Sequence, residues 1–374
     1  MSWTRFLAIL IKELRQVRRD RLTFGMMVAV PIVQLILFGF AINGDPKHLP
    51  LAVVVMDQSE FSRSFVAGLE NSGYFRVTQR PASVQQADKL LDEGRVQFVL
   101  VVPSDFSRKL LRGERPAMLL AADATDPAAT GNAIAALGGI GQRSIGRELS
   151  GSLAALRTPD APFELRVQRR YNPEGLTSYN VVPGLIGVIL TMTMVMMTSL
   201  AMTRERERGT MENLLATPAR PIEVMLGKIV PYILIGYVQV TVILIAARLL
   251  FDVPMVGSLW LLSSVLVLFI AANLAVGFTF STIARNQLQA MQLTFFFFLP
   301  SMLLTGFMFP FRGMPAWAQA IGEVLPLTHF LRIVRGVMLK GNGVAEVAAH
   351  LWPIALFMLA AGAVAMLRYR QTVD

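Results

Sequence analysis

Six apolar segments govern what this chain can become. They fall at residues 22–42, 179–202, 222–249, 259–283, 288–309 and 347–367. Each is long enough to cross a hydrocarbon core of about 30 Å as a helix. Lipid offers no hydrogen-bond partner to an open backbone, so helices are the form such segments take. Apolar residues make up 54% of the sequence and charged residues 16%, with the apolar excess gathered in these blocks. That distribution excludes an ordinary soluble globular protein. The formal charge of +10 does not require a nucleic-acid partner, because a membrane protein reaches it by keeping Lys and Arg on its cytoplasmic side. Cysteine is absent, which excludes disulfides and thiolate chemistry. The expected fold is a polytopic α-helical membrane protein with six transmembrane helices. An α/β extracytoplasmic domain is inserted between helices 1 and 2.

Residues 1–21 place Trp3, Phe6, Leu7, Leu10, Leu14 and Val17 at helical spacing, with Lys12, Arg15, Arg18, Arg19 and Arg21 between them. This predicts a cytoplasmic amphipathic helix in the membrane interface, touching lipid headgroups; a mitochondrial-type presequence is the alternative. Residues 22–42 read as transmembrane helix 1 and as an uncleaved anchor, since Phe40, Ala41, Ile42 and Asn43 make a poor cleavage site. Dense cations before it put the N-terminus in the cytoplasm. Six crossings then return the C-terminus there, where Arg368 and Arg370 agree.

Residues 43–177 would face outward, in the periplasm. Strands are expected at 51–56, 75–78, 96–102, 117–122 and 164–170, and helices at 61–70, 84–93, 104–111 and 127–156. That alternation is an α/β layer structure. Its charges nearly balance, so no electrostatic partner is evident. Residues 178–374 hold helices 2–6. Within them, Pro310, Pro315 and Pro326 break an apolar run into short helices dipping into or lying along the outer interface, over about 310–346. Arg312, Arg332, Arg335 and Lys340 in that run go against the positive-inside bias.

The loop between the second and third spans is the most specific stretch. After Arg204, Glu205, Arg206, Glu207 and Arg208 the chain turns at Gly209. Thr210 is a natural N-cap, Glu212 and Asn213 fall in the first turn, and Pro218 stops the helix near Thr217. The result is a short cytoplasmic helix, within about 203–221, with Leu214 and Leu215 as its apolar face. Held between two spans, it can pass a push from a soluble partner into the membrane.

The run from Glu207 to Pro218 resembles the cytoplasmic coupling segment of type-2 bacterial ABC exporter permeases. The run from Pro300 to Gly341 is similar to the segment after the fifth span in the drug-exporter branch of that family. With the six-span layout and the external insertion, the resemblance covers nearly the whole chain. It implies that Glu207, Gly209, Thr210, Glu212, Leu214, Leu215, Thr217 and Pro218 meet an ATPase. The implied partners are cytosolic ABC ATPase subunits, a second permease copy or paralogue forming a dimer, and a periplasmic adaptor protein. The implied location is the bacterial inner membrane, and the implied cargo is hydrophobic or amphipathic, drug-like or lipid-like.

The chain itself carries no phosphate-binding loop: Gly227-Lys228 is followed by Ile229 and lacks the upstream glycine. It is therefore expected to be no enzyme and to hold no cofactor, with ATP and Mg bound by the partner ATPase. The spans are nearly free of ionisable groups, and His48, His329 and His350 read as scattered, so no metal site is expected. Met192, Met196 and Thr193 in the second span, with Phe296 and Phe297 in the fifth, are candidates for a substrate path, since Met and Phe adapt to varied apolar ligands. For any single one of them, ordinary helix packing in lipid is the simpler account. Two other readings remain. An ion-coupled antiporter would need buried carboxylates. A membrane-anchored receptor would use the external domain for sensing and leave most spans without purpose.

Overall fold

The computed structural model describes residues 46–149, 162–207 and 221–368. The interfacial helix expected at 1–21, the first span at 22–42 and most of the coupling helix lie outside the described residues.

The first described unit is a five-stranded mixed sheet with order β2-β1-β3-β4-β5. Its strands are β1 (Leu49–Val55), β2 (Phe75–Gln79), β3 (Phe98–Val102), β4 (Ala117–Asp123) and β5 (Glu164–Arg170). The β1 strand pairs in parallel with β2 and β3, β4 runs antiparallel to β3, and β5 is parallel to β4. Alternation in β1 sends Leu49, Leu51 and Val53 to one face and Ala52 and Val54 to the other, as a period of two requires. The first face is covered by α1 (Glu60–Asn71), α3 (Phe106–Leu111) and α4 (Pro127–Glu148), with Phe65 and Phe106 edge-on to Phe163. The second is covered by α2 (Val84–Asp92) through Ala87 and Leu91. Ser59 and Ser83 cap α1 and α2 by accepting the amides of Ser62 and Gln86. The long helix expected over 127–156 is described as far as Glu148, and residues 150–161 lie outside the description.

Five described helices are long and apolar enough to cross a membrane. They belong to α5 (Thr177–Glu207), α6 (Pro221–Phe251), α7 (Leu259–Ile283), α8 (Gln287–Leu304) and α11 (Val344–Arg368). The span expected over 288–309 stops at Leu304. Gly306 takes a left-handed φ of 85°, a turn that no helix continues through. Central in the bundle, α7 packs against α5 and α11. Close approach is bought by glycine: a Cβ on Gly277 would lie 2.8 Å from the Val195 carbonyl oxygen. The outward faces of α6 (Leu234, Val238, Val242) and α11 (Trp352, Leu356, Leu359) are apolar and exposed, as lipid-facing surfaces are.

Between α8 and α11 lie a 3-10 turn (Phe311–Gly313), α9 (Ala316–Val324), α10 (Pro326–Arg335) and a π turn (Gly336–Lys340). Far from skirting the bundle, α10 is enclosed in it. Leu327, Phe330, Leu331, Ile333 and Val334 are all buried, and Phe330 stacks on Phe269 of α7 at 3.9 Å. Gly187 of α5 makes room, since a Cβ there would meet Leu327 at 2.5 Å.

Candidate coupling site and the outer junction

Of the residues expected to meet an ATPase, Gly209, Thr210, Glu212, Leu214, Leu215, Thr217 and Pro218 lie outside the described residues. Glu207 is described, and it ends α5. Its carboxylate accepts the Gln287 amide at 2.7 Å and the Gln287 side-chain Nε2 at 2.5 Å. These bonds from the Gln287 side chain and backbone hold its pKa below the ordinary carboxylate value, with Arg204 adding to the effect. Gln287 opens α8, so the carboxylate also sits where a helix N-terminus favours negative charge. Asn286 caps the same end by accepting the Gln289 amide at 2.8 Å. The end of α5, beyond which the chain leaves the described residues, is thus joined to α8 as well as to its own span. The sequence named Glu207 but gave no sign of Gln287.

The substrate-path candidates sit on neighbouring helices, since α5 and α8 pack together. Met192, Thr193 and Met196 are half-buried on α5. The Thr193 hydroxyl lies 2.8 Å from the Ile189 carbonyl oxygen and 3.0 Å from Oε1 of Gln239 on α6. Phe297 packs near Phe280 and Phe357, whereas Phe296 is exposed on the bundle surface. The arrangement brings Thr193 to a polar partner across helices and does not draw Phe296 inward.

At the other end of the bundle, two expectations are corrected. The histidines are not scattered: Nδ1 of His329 lies 3.3 Å from Nδ1 of His350, and Nε2 of His329 is 2.8 Å from the Glu323 carbonyl oxygen. Burial pushes the His329 imidazole below its usual pKa despite the Glu323 carbonyl. Among the described residues no cluster has the makings of a metal site. The α/β domain also has an electrostatic partner, namely this chain's own outer segment. Lys340 Nζ donates to Asp123 Oδ2 at 2.5 Å and to the Leu91 carbonyl at 3.3 Å. Arg312 Nη2 donates to the Gly94 carbonyl at 2.7 Å, and Asn342 Nδ2 to that of Asp92 at 3.4 Å. Tyr171 gives its hydroxyl to Asp92; burial, reinforced by that carboxylate, pushes the phenol pKa upward. On the bundle side, Val256 and Gly257 donate their amides to Met338 and Val337 in the π turn, at 2.9 and 3.0 Å. Cations that run against the charge bias of a membrane chain are therefore used inside the fold. That anomaly was the one signal in the sequence pointing to the junction.

A bundle of apolar spans preceded by a mixed-sheet α/β domain, with ends tied by polar contacts, defines a helical membrane protein. The chain belongs to the ABC-2 family of transporter proteins, whose family model matches residues 21–367. It is 30% identical over 348 residues to the probable multidrug ABC transporter permease YbhS of Escherichia coli K12, covering 91% of this chain and 90% of that one. With the inner membrane transport permease YhhJ of the same organism it shares 30% identity over 381 residues, covering 97% and 96%. With the probable multidrug ABC transporter permease YbhR it shares 28% over 371 residues, covering 99% and 98%. Two of these relatives are named as probable ABC transporter permeases and the third as a transport permease.

Proposed function

We propose that this chain is the membrane subunit of an ATP-driven exporter moving a hydrophobic or amphipathic molecule, drug-like or lipid-like, out of the cytoplasm or the inner leaflet. Energy comes from ATPase subunits on a separate chain, which bind ATP and Mg and seat on the segment that follows Glu207. The permease works as a pair, with itself or a close paralogue, in a bacterial inner membrane with both termini cytoplasmic. The observation that carries this reading is the Glu207–Gln287 pairing. It favours a lever, because a push on the coupling segment reaches α5 and α8 at once. The relatives' names, two of them multidrug permeases, support the class of cargo. An ion-driven antiporter is disfavoured by the described spans, where Arg248, Glu346, His350 and Arg368 lie toward the ends and no carboxylate lies midway.

The test is reconstitution of the chain with an ABC ATPase subunit that co-purifies with it, followed by ATP-dependent movement of a lipophilic dye in proteoliposomes. Glu207→Ala is expected to leave the complex assembled and hydrolysing ATP while dye export falls several-fold. Export without any ATPase would refute the reading. Unchanged export in Glu207→Ala would remove the lever from it.

A further inference from the structure

The junction between the α/β domain and the outer segment encloses a cleft of about 730 Å³. Six cations stand in its wall: Lys89, Arg95, Arg312, Arg332, Arg335 and Lys340. Four of them have carboxylate partners. Lys89 and Arg95 flank Glu93 at 3.9 and 3.8 Å, Arg332 meets Glu323 at 2.5 Å, and Lys340 meets Asp123 at 2.5 Å. Among the described residues Arg312 and Arg335 have no carboxylate at ion-pair distance. Each makes a single hydrogen bond, to a backbone carbonyl: Arg312 to Gly94 at 2.7 Å and Arg335 to Gly306 at 3.1 Å. Nε and Nη2 of Arg335 are buried and have no hydrogen-bond partner among the described residues.

A guanidinium has five N–H donors and stays charged at any physiological pH. Enclosing it with most donors unused costs more than almost any other polar burial. Asp126 and Asp123 lie near enough to favour the charge on Arg335, and Asp123 and Glu323 that on Arg312, but none reaches ion-pair distance. Asp92 takes the Tyr171 hydroxyl and Glu346 the Gly343 amide. What does relieve a forked guanidinium is an oxyanion, bound through two parallel N–H···O contacts. We propose that this cleft binds a phosphate group through Arg312 and Arg335. Nε and Nη2 of Arg335 face protein rather than water, so the anion gains them with a side-chain shift. The rest of the residue, half-buried at the cleft wall, permits that shift. The phosphate comes either from a phospholipid headgroup at the membrane surface or from a soluble phosphate.

The test uses the full chain in a maltoside detergent free of phosphate, at constant ionic strength, with unfolding followed by tryptophan fluorescence. One series adds inorganic phosphate, a second adds phosphatidylglycerol, and a third adds diacylglycerol as the phosphate-free control. The wild type is expected to gain thermal stability saturably in the first or second series and not in the third. A response to inorganic phosphate assigns the site to a soluble anion as well, and a response to phosphatidylglycerol alone assigns it to a lipid headgroup. Arg335→Lys, which keeps the charge and loses the fork, should raise the half-saturating concentration about tenfold or more. Arg312→Gln should do the same, and it decides the matter if the Arg335 variant fails to fold. Arg248→Gln, remote and exposed, should leave the response unchanged. No saturable response to either phosphate source overturns the proposal, as does a response untouched by both cleft substitutions. Only binding is read, so this result is independent of whether the chain exports anything.

Discussion

Replacing Lys340 with methionine keeps the length of the side chain and deletes its charge where the α/β domain meets the bundle. The ammonium and the Asp123 carboxylate are only 8% and 13% exposed. Losing one member of such a pair leaves the other charged and enclosed, which costs about 3–5 kcal/mol. The contacts of Nζ with the Leu91 carbonyl and the Tyr171 ring are lost with it. At about 1.4 kcal/mol per factor of ten, the lower figure makes local opening of the junction roughly a hundredfold more frequent. Amide hydrogen exchange on the purified full chain reads this directly. Peptides covering 89–94 and 336–342 should exchange roughly a hundredfold faster in Lys340→Met, while the β3 peptide keeps its rate. Adding Asp123→Asn removes the stranded charge and should restore most of the protection, since deleting both members is often close to neutral. Additive losses in the double variant would refute the reasoning, as would junction peptides within about threefold of wild type in the single one.

Gly277→Ala would force a Cβ to within 2.8 Å of the Val195 carbonyl oxygen; it should cost about 1–3 kcal/mol and lower the unfolding temperature in detergent. Gly362→Ala, with nothing within 4 Å, should be tolerated in the same assay. Burial holds the His329 imidazole neutral, so the unfolded chain binds the extra proton. Its stabilising contribution is complete above a pH of about 6.5 and lost below it. The unfolding midpoint should therefore fall on acidification, with a smaller slope in His329→Gln. For topology, single cysteines at Ser83 and Asn213 in this cysteine-free chain should label from opposite sides of the membrane. Labelling of both by an impermeant reagent in intact cells would contradict cytoplasmic placement of the coupling segment.

Length and hydropathy made the five described spans legible. A helix in lipid must satisfy its own backbone, so an apolar run of the right length leaves few alternatives. Short apolar runs between turn residues made the strands legible, as in β1, where Leu49, Leu51 and Val53 are buried on one face and Ala52 and Val54 on the other. Contacts between residues distant in sequence were not legible. No local rule connects Glu207 with Gln287, Lys340 with Asp123, or His329 with His350. Nor does composition separate α10, enclosed among α5, α7 and α11, from a helix lying flat on the surface; both are amphipathic and short, and a proline opens α10. Packing decides that, and Gly187 opposite Leu327 and Phe330 is where it is decided.

Polar contacts at both ends of one helix join it to its surroundings. Near its start, Asn180 of α5 donates to Asp126 of the α/β domain at 3.4 Å, and at its finish Glu207 holds the start of α8. At 1.5 Å per residue, the 31 residues of α5 span about 46 Å. A helix of that length transmits an axial push with little loss unless something bends it. Pro183 is the one proline inside it and lies close to the outer end, where a missing backbone bond permits a bend. Below Pro183 the helix is stiff and fixed to α7 through the tight approach at Gly277. A displacement applied beyond Glu207 therefore reaches the outer third of the bundle before it meets a compliant point. That compliant point lies where the domain contact at Asn180 and the buried face of α10 converge. A push received at the Glu207 end would therefore be delivered to the junction with the α/β domain, which polar contacts tie to the bundle.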